Sequence, residues 1–138
     1  MSMTDALANQ ILDTILGTSG ILPGTVYVGL LLALPNPDGT GVSEPAGAGY
    51  ARQPVVNDVT NWPAAAARIK KHSGDIIFPQ ATGGNWGLII GAGVFDAVSG
   101  GNIKLVGLLS TSRQVNDTDI FRFLAASKPL RLTLPWIT

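Results

Sequence analysis

The chain has no cysteine and a single histidine, His72. Disulfides, thiolate metal centres, Cys nucleophiles and sites built on two imidazoles are thereby excluded. Charge is also scarce. Nine basic and nine acidic side chains, 13% of the 138 residues, cancel to a formal net charge of zero. A neutral chain lacks the broad positive field that nucleic acid or an anionic membrane surface requires, so neither is expected as a partner. The longest apolar run, Val26 to Leu34, is far short of the roughly 20 residues that span a bilayer as a helix. The opening MSMTDALANQ has neither the basic nor the long apolar region of a secretory leader, and synthesis in a cytoplasm is expected.

What is abundant is glycine, 17 residues, and proline, nine, set among many short apolar runs. That mixture favours a turn-rich β fold. From Phe78 to Ser112, two apolar, glycine-bearing runs flank Ser99-Gly100-Gly101-Asn102. This is the pattern of a hairpin whose glycines supply positive φ. The expected fold is mainly β: one domain over residues 1–138, an antiparallel β-sandwich over 25–134 with one N-terminal α-helix over 4–16. Hydrophobic residues reach 46% against 13% charged. Such a surface is best tolerated when much of it is covered by other subunits, so a homo-oligomer is expected.

Within the helix, Leu7, Ile11 and Ile15 fall on one stripe at the 3.6-residue period, with Ala8, Leu12 and Leu16 beside it. Ser2 or Thr4 can cap it, Asp5 suits its positive end, and Gly17 suits its C-terminus. The stripe is expected to dock on the chain's own sheet or to face a partner. Strands are expected over 25–34, 50–56, 75–78, 86–95, 102–109, 120–125 and 130–134, with Pro54 arguing for an edge or a bend. Residues 35–48, PNPDGTGVSEPAGA, form a long Pro/Gly loop carrying the apolar Pro37 and Val42. A loop of that length suits binding or wrapping a neighbouring subunit, or is equally a tolerated insertion. The stretch 57–73 has no clear period.

Each chemistry-bearing motif has a bland alternative that fits better. His72 sits beside Lys71 in what reads as an exposed polar loop, and no Gly-x-Ser-x-Gly elbow accompanies it. Gly91-Ala92-Gly93 faintly suggests a dinucleotide fingerprint, but Asp96 stands where a third glycine belongs and no helix follows. Close sheet packing or a bulge explains those glycines. Asn116-Asp117-Thr118-Asp119 could approach Ca²⁺, yet an EF-hand needs further ligands, and turn chemistry suffices. Arg68, Lys70, Lys71 and His72 make a small basic patch near Trp62. A solvated loop, or salt bridges to a neighbouring subunit, is expected there rather than base stacking. No catalytic, cofactor or metal residues are therefore expected. The expected assembly interface is Leu7, Ile11, Ile15, Pro37, Val42 and the apolar tail residues Trp136 and Ile137.

Several pieces in order carry a resemblance: Ala6-Leu7-Ala8-Asn9-Gln10-Ile11-Leu12, Thr25-Val26-Tyr27-Val28-Gly29-Leu30, Gly49-Tyr50-Ala51-Arg52 and Thr60-Asn61-Trp62-Pro63-Ala64. Ile77-Phe78-Pro79, Asn85-Trp86-Gly87, Gly93-Val94-Phe95-Asp96-Ala97, Gly100-Gly101-Asn102 and Leu109-Ser110-Thr111-Ser112 complete it. The sequence resembles a family of small tailed-bacteriophage virion proteins usually labelled tail fibre proteins. Two stretches depart from it: Arg68-Ile69-Lys70-Lys71-His72, where such proteins tend to be Gly/Ser-rich, and the Trp136-Ile137 tail. The resemblance implies a non-enzymatic virion component, assembled in the host cytoplasm and contacting other virion proteins of the tail or the major capsid. A tail fibre or tail-tip subunit is the first expectation. A capsid decoration protein cementing the shell is the second. A carbohydrate-binding module for a host surface glycan, with Trp62, Trp86 or Tyr50 as stacking platform, is the third.

Overall fold

The computed structural model describes residues 3–18 and 20–134. Ser2, Trp136 and Ile137 lie outside the described residues. The helix, α1, spans Asp5–Ile15. The strands among the described residues are β1 Thr25–Leu31, β2 Gln53–Val56, β3 Ile69–Lys71, β4 Ile76–Gln80, β5 Gly87–Phe95, β6 Ile103–Val115, β7 Ile120–Phe123 and β8 Arg131–Thr133. The fold is mainly β, with antiparallel sheets and one N-terminal helix, as the sequence led one to expect. The chain gathers into two compact units. One holds residues 1–25, 56–76 and 123–138, and the other holds 26–55 and 77–122.

In the first unit, α1 begins where Thr4 caps it, its side chain accepting from the Leu7 N–H at 3.4 Å, with Asp5 in the positive first turn. It ends near Gly17, whose φ of 104° is the left-handed conformation glycine adopts freely. Ala8 and Leu12 are fully buried. The expected solvated basic loop is instead the anchor of this helix. Lys70 is 1% exposed, and its ammonium donates to Asp13 at 2.8 Å. Arg68 is buried too; its guanidinium donates to the Met3 and Leu134 carbonyls and pairs with Asp5 at 3.3 Å. Both cations lie on or beside β3, which pairs antiparallel with β8. Placing two basic side chains inside works because each finds a carboxylate or carbonyl partner there.

His72 is a second correction. It is buried, 2% exposed, and its ring meets the Trp62 ring edge-on. Its Nε2 accepts from the Leu130 N–H at 2.9 Å, and its Nδ1 faces the Gly74 carbonyl. An acceptor at Nε2 requires the neutral ring with the proton on Nδ1. Burial lowers the imidazole below its ordinary value, against the smaller opposing effects of the Gly74 carbonyl and Asp75. The unfolded chain thus takes up this proton at a higher pH than the folded chain. Stability attributable to His72 is fully present above about pH 6.5 and is lost as pH falls toward and through the folded value. Urea midpoints should therefore drop between pH 7.5 and 5.5, with a slope of at most about 1.4 kcal/mol per pH unit. His72→Gln should flatten the profile over that interval.

In the second unit a four-stranded sheet runs β2-β1-β5-β6. β2, with Pro54, takes the edge expected of it. β1 and β5 are antiparallel, with Tyr27 opposite Phe95, Gly29 opposite Gly93 and Leu31 opposite Gly91. β5 and β6 form the expected hairpin, closed by Gly100 and Gly101 at φ 60° and 62°. Asp96 accepts from the Asn102 N–H at 2.7 Å and locks that turn. β6 is longer than expected. Its register against β5 shifts between Ile89 and Gly91, so that residues 109–112 stand against Ile90 alone, a large bulge on an outer strand. β4 and β7 form a separate ribbon. The rings of Trp86, Tyr50, Phe78 and Phe121 form a chain of contacts, with centroids 5.2, 6.3 and 5.9 Å apart in turn.

Loop 35–48 is not a free flap. Ala33 bridges to Ser43, the Asn36 N–H donates to the Thr40 carbonyl, and Asp38 accepts from Thr40. Glu44 ties its far end inward. The Glu44 carboxylate accepts from Arg52 Nη2 at 2.7 Å and from the Tyr50 hydroxyl at 2.7 Å. Nε donates to the same carboxylate at 3.0 Å, Nη1 donates to the carbonyls of Ala97 and Gly100, and the whole group lies 3.5 Å over the Phe95 ring. Burial, then the Glu44 carboxylate, push the Tyr50 hydroxyl above its ordinary value, so it remains a donor. The glycines of β1 and β5 make room for this cluster. A Cβ on Gly29 would stand 2.6 Å from Glu44 Oε1 and 2.7 Å from Phe95 Cε2. The Gly-x-Gly of β5 is thus close sheet packing, as the residues suggested. A Cβ on Gly91 would meet the Gly107 carbonyl at 2.6 Å.

Candidate assembly surface

The expected interface residues fall in different places. Leu7 is 47% exposed, while Ile11 and Ile15 are partly covered, so the helix offers an apolar strip beside its docked face. Pro37 and Val42 are exposed on the pinned loop of the second unit. Trp136 and Ile137 are outside the described residues.

An uncovered apolar pair that the sequence reading missed, Val106 and Leu108, lies on β6. This strand runs 13 residues and, as the last strand in the sheet order, has β5 as its one neighbour among the described residues. Val106 is 47% and Leu108 66% exposed. They stand opposite Gly93 and Gly91, which present no side chain to cover them. Outer strands with apolar side chains and free backbone groups are templates for pairing with another chain. The signal was the period of two in Ile103-Lys104-Leu105-Val106-Gly107-Leu108, where both alternating faces are apolar. Ile77 and Ile120 are similarly exposed on the β4–β7 ribbon.

The polar groups of the 116–119 turn are used by the fold. In the 116–119 turn, Asp119 accepts from the Asn116 N–H, Asp117 accepts from the Gly83 N–H, and Thr118 has a φ of 73°. This is the turn chemistry favoured over calcium. Among the described residues no group of three or more His, Cys, Asp or Glu side chains could hold a metal ion. The proposed sugar platform fails on burial. Trp62 and Trp86 are 1% and 4% exposed, and the Tyr50 hydroxyl is engaged with Glu44 and the Leu30 N–H. Rings packed in this way cannot stack on a glycan.

A family model described as Podophage GP4 fiber I protein gp80 matches residues 2–131. The chain belongs to this family. It is therefore a bacteriophage structural protein of the fibre type and a component of the virion, as the resemblance implied. The match spans the helix, both units and all the strands named above except the end of β8. No curated protein matches the chain.

Proposed function

We propose that the chain acts as a tail fibre or tail-tip subunit, a single non-enzymatic building block that assembles through contacts with copies of itself and with other virion proteins. The observation that carries this reading is the open β6 strand with Val106 and Leu108 uncovered. The helix strip of Leu7, Ile11 and Ile15 and the loop residues Pro37 and Val42 supply further contact area, to which Trp136 and Ile137 add. Symmetric repetition would multiply a modest single contact by avidity. Assembly takes place in the host cytoplasm.

The test is the oligomeric state in solution. Light scattering after size exclusion should give a mass that is a multiple of the chain's 14.3 kDa. The double substitution Val106→Lys, Leu108→Lys should move dissociation to at least about tenfold lower affinity, since two desolvated apolar contacts are replaced by charges. Both side chains are solvent-facing, so the helix and hairpin should survive by circular dichroism. A wild-type chain that stays monomeric at high concentration and binds no virion protein would sink the assembly reading. Imaging on intact particles separates the positions: repeats across the head would replace the tail assignment with shell cementing.

A further inference from the structure

The first unit contains a feature that has no residue in common with β6. An open cleft of about 590 Å³ is lined by Pro63, Ala64, Ala66, Ile69 and Pro129 on its apolar side. Four of its wall residues are alanines, Ala125 and Ala126 with the two just named, and their short side chains leave the space empty. Lys71 and Arg131 also line it. These two residues are directly opposite each other in the β3–β8 register. Like charges at opposed positions of a strand pair destabilise it. Neither side chain forms an ion pair or a hydrogen bond among the described residues. The contrast with Arg68 and Lys70, three and one positions before Lys71 and both paired, is sharp.

The charge on the rim is limited. Asp75 also lines the cleft, and its Oδ1 accepts from the Ala125 N–H at 2.9 Å. His72 lines it as a neutral ring, both nitrogens engaged. Two free cations against one acid suit a single negative charge rather than a polyanion. An apolar wall beside that charge suits a flanking hydrocarbon side chain. We propose that this cleft binds a peptide segment of a partner protein in which an Asp or Glu carboxylate, flanked by apolar residues, seats between Lys71 and Arg131. This adds a second kind of contact to the assembly reading and does not depend on β6.

The experiment is an NMR titration of the full ¹⁵N-labelled chain with the peptide acetyl-Ile-Asp-Ile-amide. Its isostere acetyl-Ile-Asn-Ile-amide, inorganic phosphate and anionic phospholipid vesicles are run in parallel. The Asp peptide should shift amides of residues 63–75 and 125–131, with binding at least about tenfold tighter than the Asn peptide. Lys71→Gln and Arg131→Gln should each weaken it, and together abolish it. In the absence of peptide, each substitution should raise the melting temperature, because it removes one of two opposed cations. Equal binding of the Asn peptide would overturn charge recognition. Binding of phosphate or vesicles without the Asp peptide would overturn the peptide assignment. A lower melting temperature in both single variants would make the cations structural. Because the readout is local to the cleft, it can fail while β6-mediated oligomers persist, and the reverse.

Discussion

Arg52→Met should lower the unfolding free energy by about 3–5 kcal/mol, the usual cost of removing one member of a buried ion pair. Arg52 and Glu44 side chains are 7% and 16% exposed, so the stranded carboxylate would recover little solvation. The Ala97 and Gly100 carbonyls would lose their donors in the same step. Methionine keeps most of the hydrocarbon volume over Phe95, which isolates the polar loss from a packing loss. Adding Glu44→Gln to that variant should restore part of the stability, because the uncompensated charge is gone. Arg52→Lys should not rescue. A single ammonium cannot reach the carboxylate and two carbonyls at once as the guanidinium fork does. Amide exchange resolved to residues 26–55 and 77–122 is the appropriate measurement, and an unchanged exchange profile would refute the assignment.

Gly29→Val should cost about 3 kcal/mol, and Gly29→Ala less, through overpacking. The first added carbon already collides with Glu44 Oε1 and Phe95 Cε2 at 2.6 and 2.7 Å, with the Tyr50 hydroxyl at 3.1 Å. None of these can retreat without opening the Arg52 cluster. The matched control is Gly107, in β6 of the same sheet, where an added Cβ meets nothing within 4 Å. Gly107→Val should be neutral or mildly stabilising, since a β-branched residue suits a strand. Equal losses at the two positions would mean that glycine in this sheet is needed for backbone reasons rather than for the space it leaves.

How much of this could be read from residues alone depends on where the stabilising partner sits in the chain. The hairpin was readable because its signals are local: two apolar runs, and a Gly-Gly pair that adopts φ near 60° at both positions. The helix was readable for the same reason, from its period and its caps. β3 was not. Its reversal uses Ala67 and Arg68 at φ 50° and 67°, where Asn-Gly would be the usual choice. The Ala66 and Ile69 backbones close it with a reciprocal pair of bonds, and the Arg68 N–H is held by Asn9 at 2.9 Å, 59 positions away. A turn stabilised from that distance leaves no local trace. The same holds for the basic segment. Lys70 and Arg68 look solvent-bound until Asp13 and Asp5 are brought beside them. His72 likewise appeared exposed because its neighbours are polar, whereas its ring is fixed by a backbone N–H at Leu130. The open side of β6 lay in plain view in the alternation. It was passed over because exposure depends on which strand ends up outermost, and that is a property of sheet order.

The division of the chain into units also bears on the timing of synthesis. The first unit draws on residues 1–25, 56–76 and 123–138, while the second lies in the intervals between them. Arg68 is fastened at one end to Met3 and Asp5 and at the other to Leu134. On a ribosome, α1 emerges before either segment of the second unit, yet β8, beside the Leu134 carbonyl that holds Arg68, emerges after both. The second unit has all of its segments available earlier. The order of completion is therefore the reverse of the order in which the two units begin.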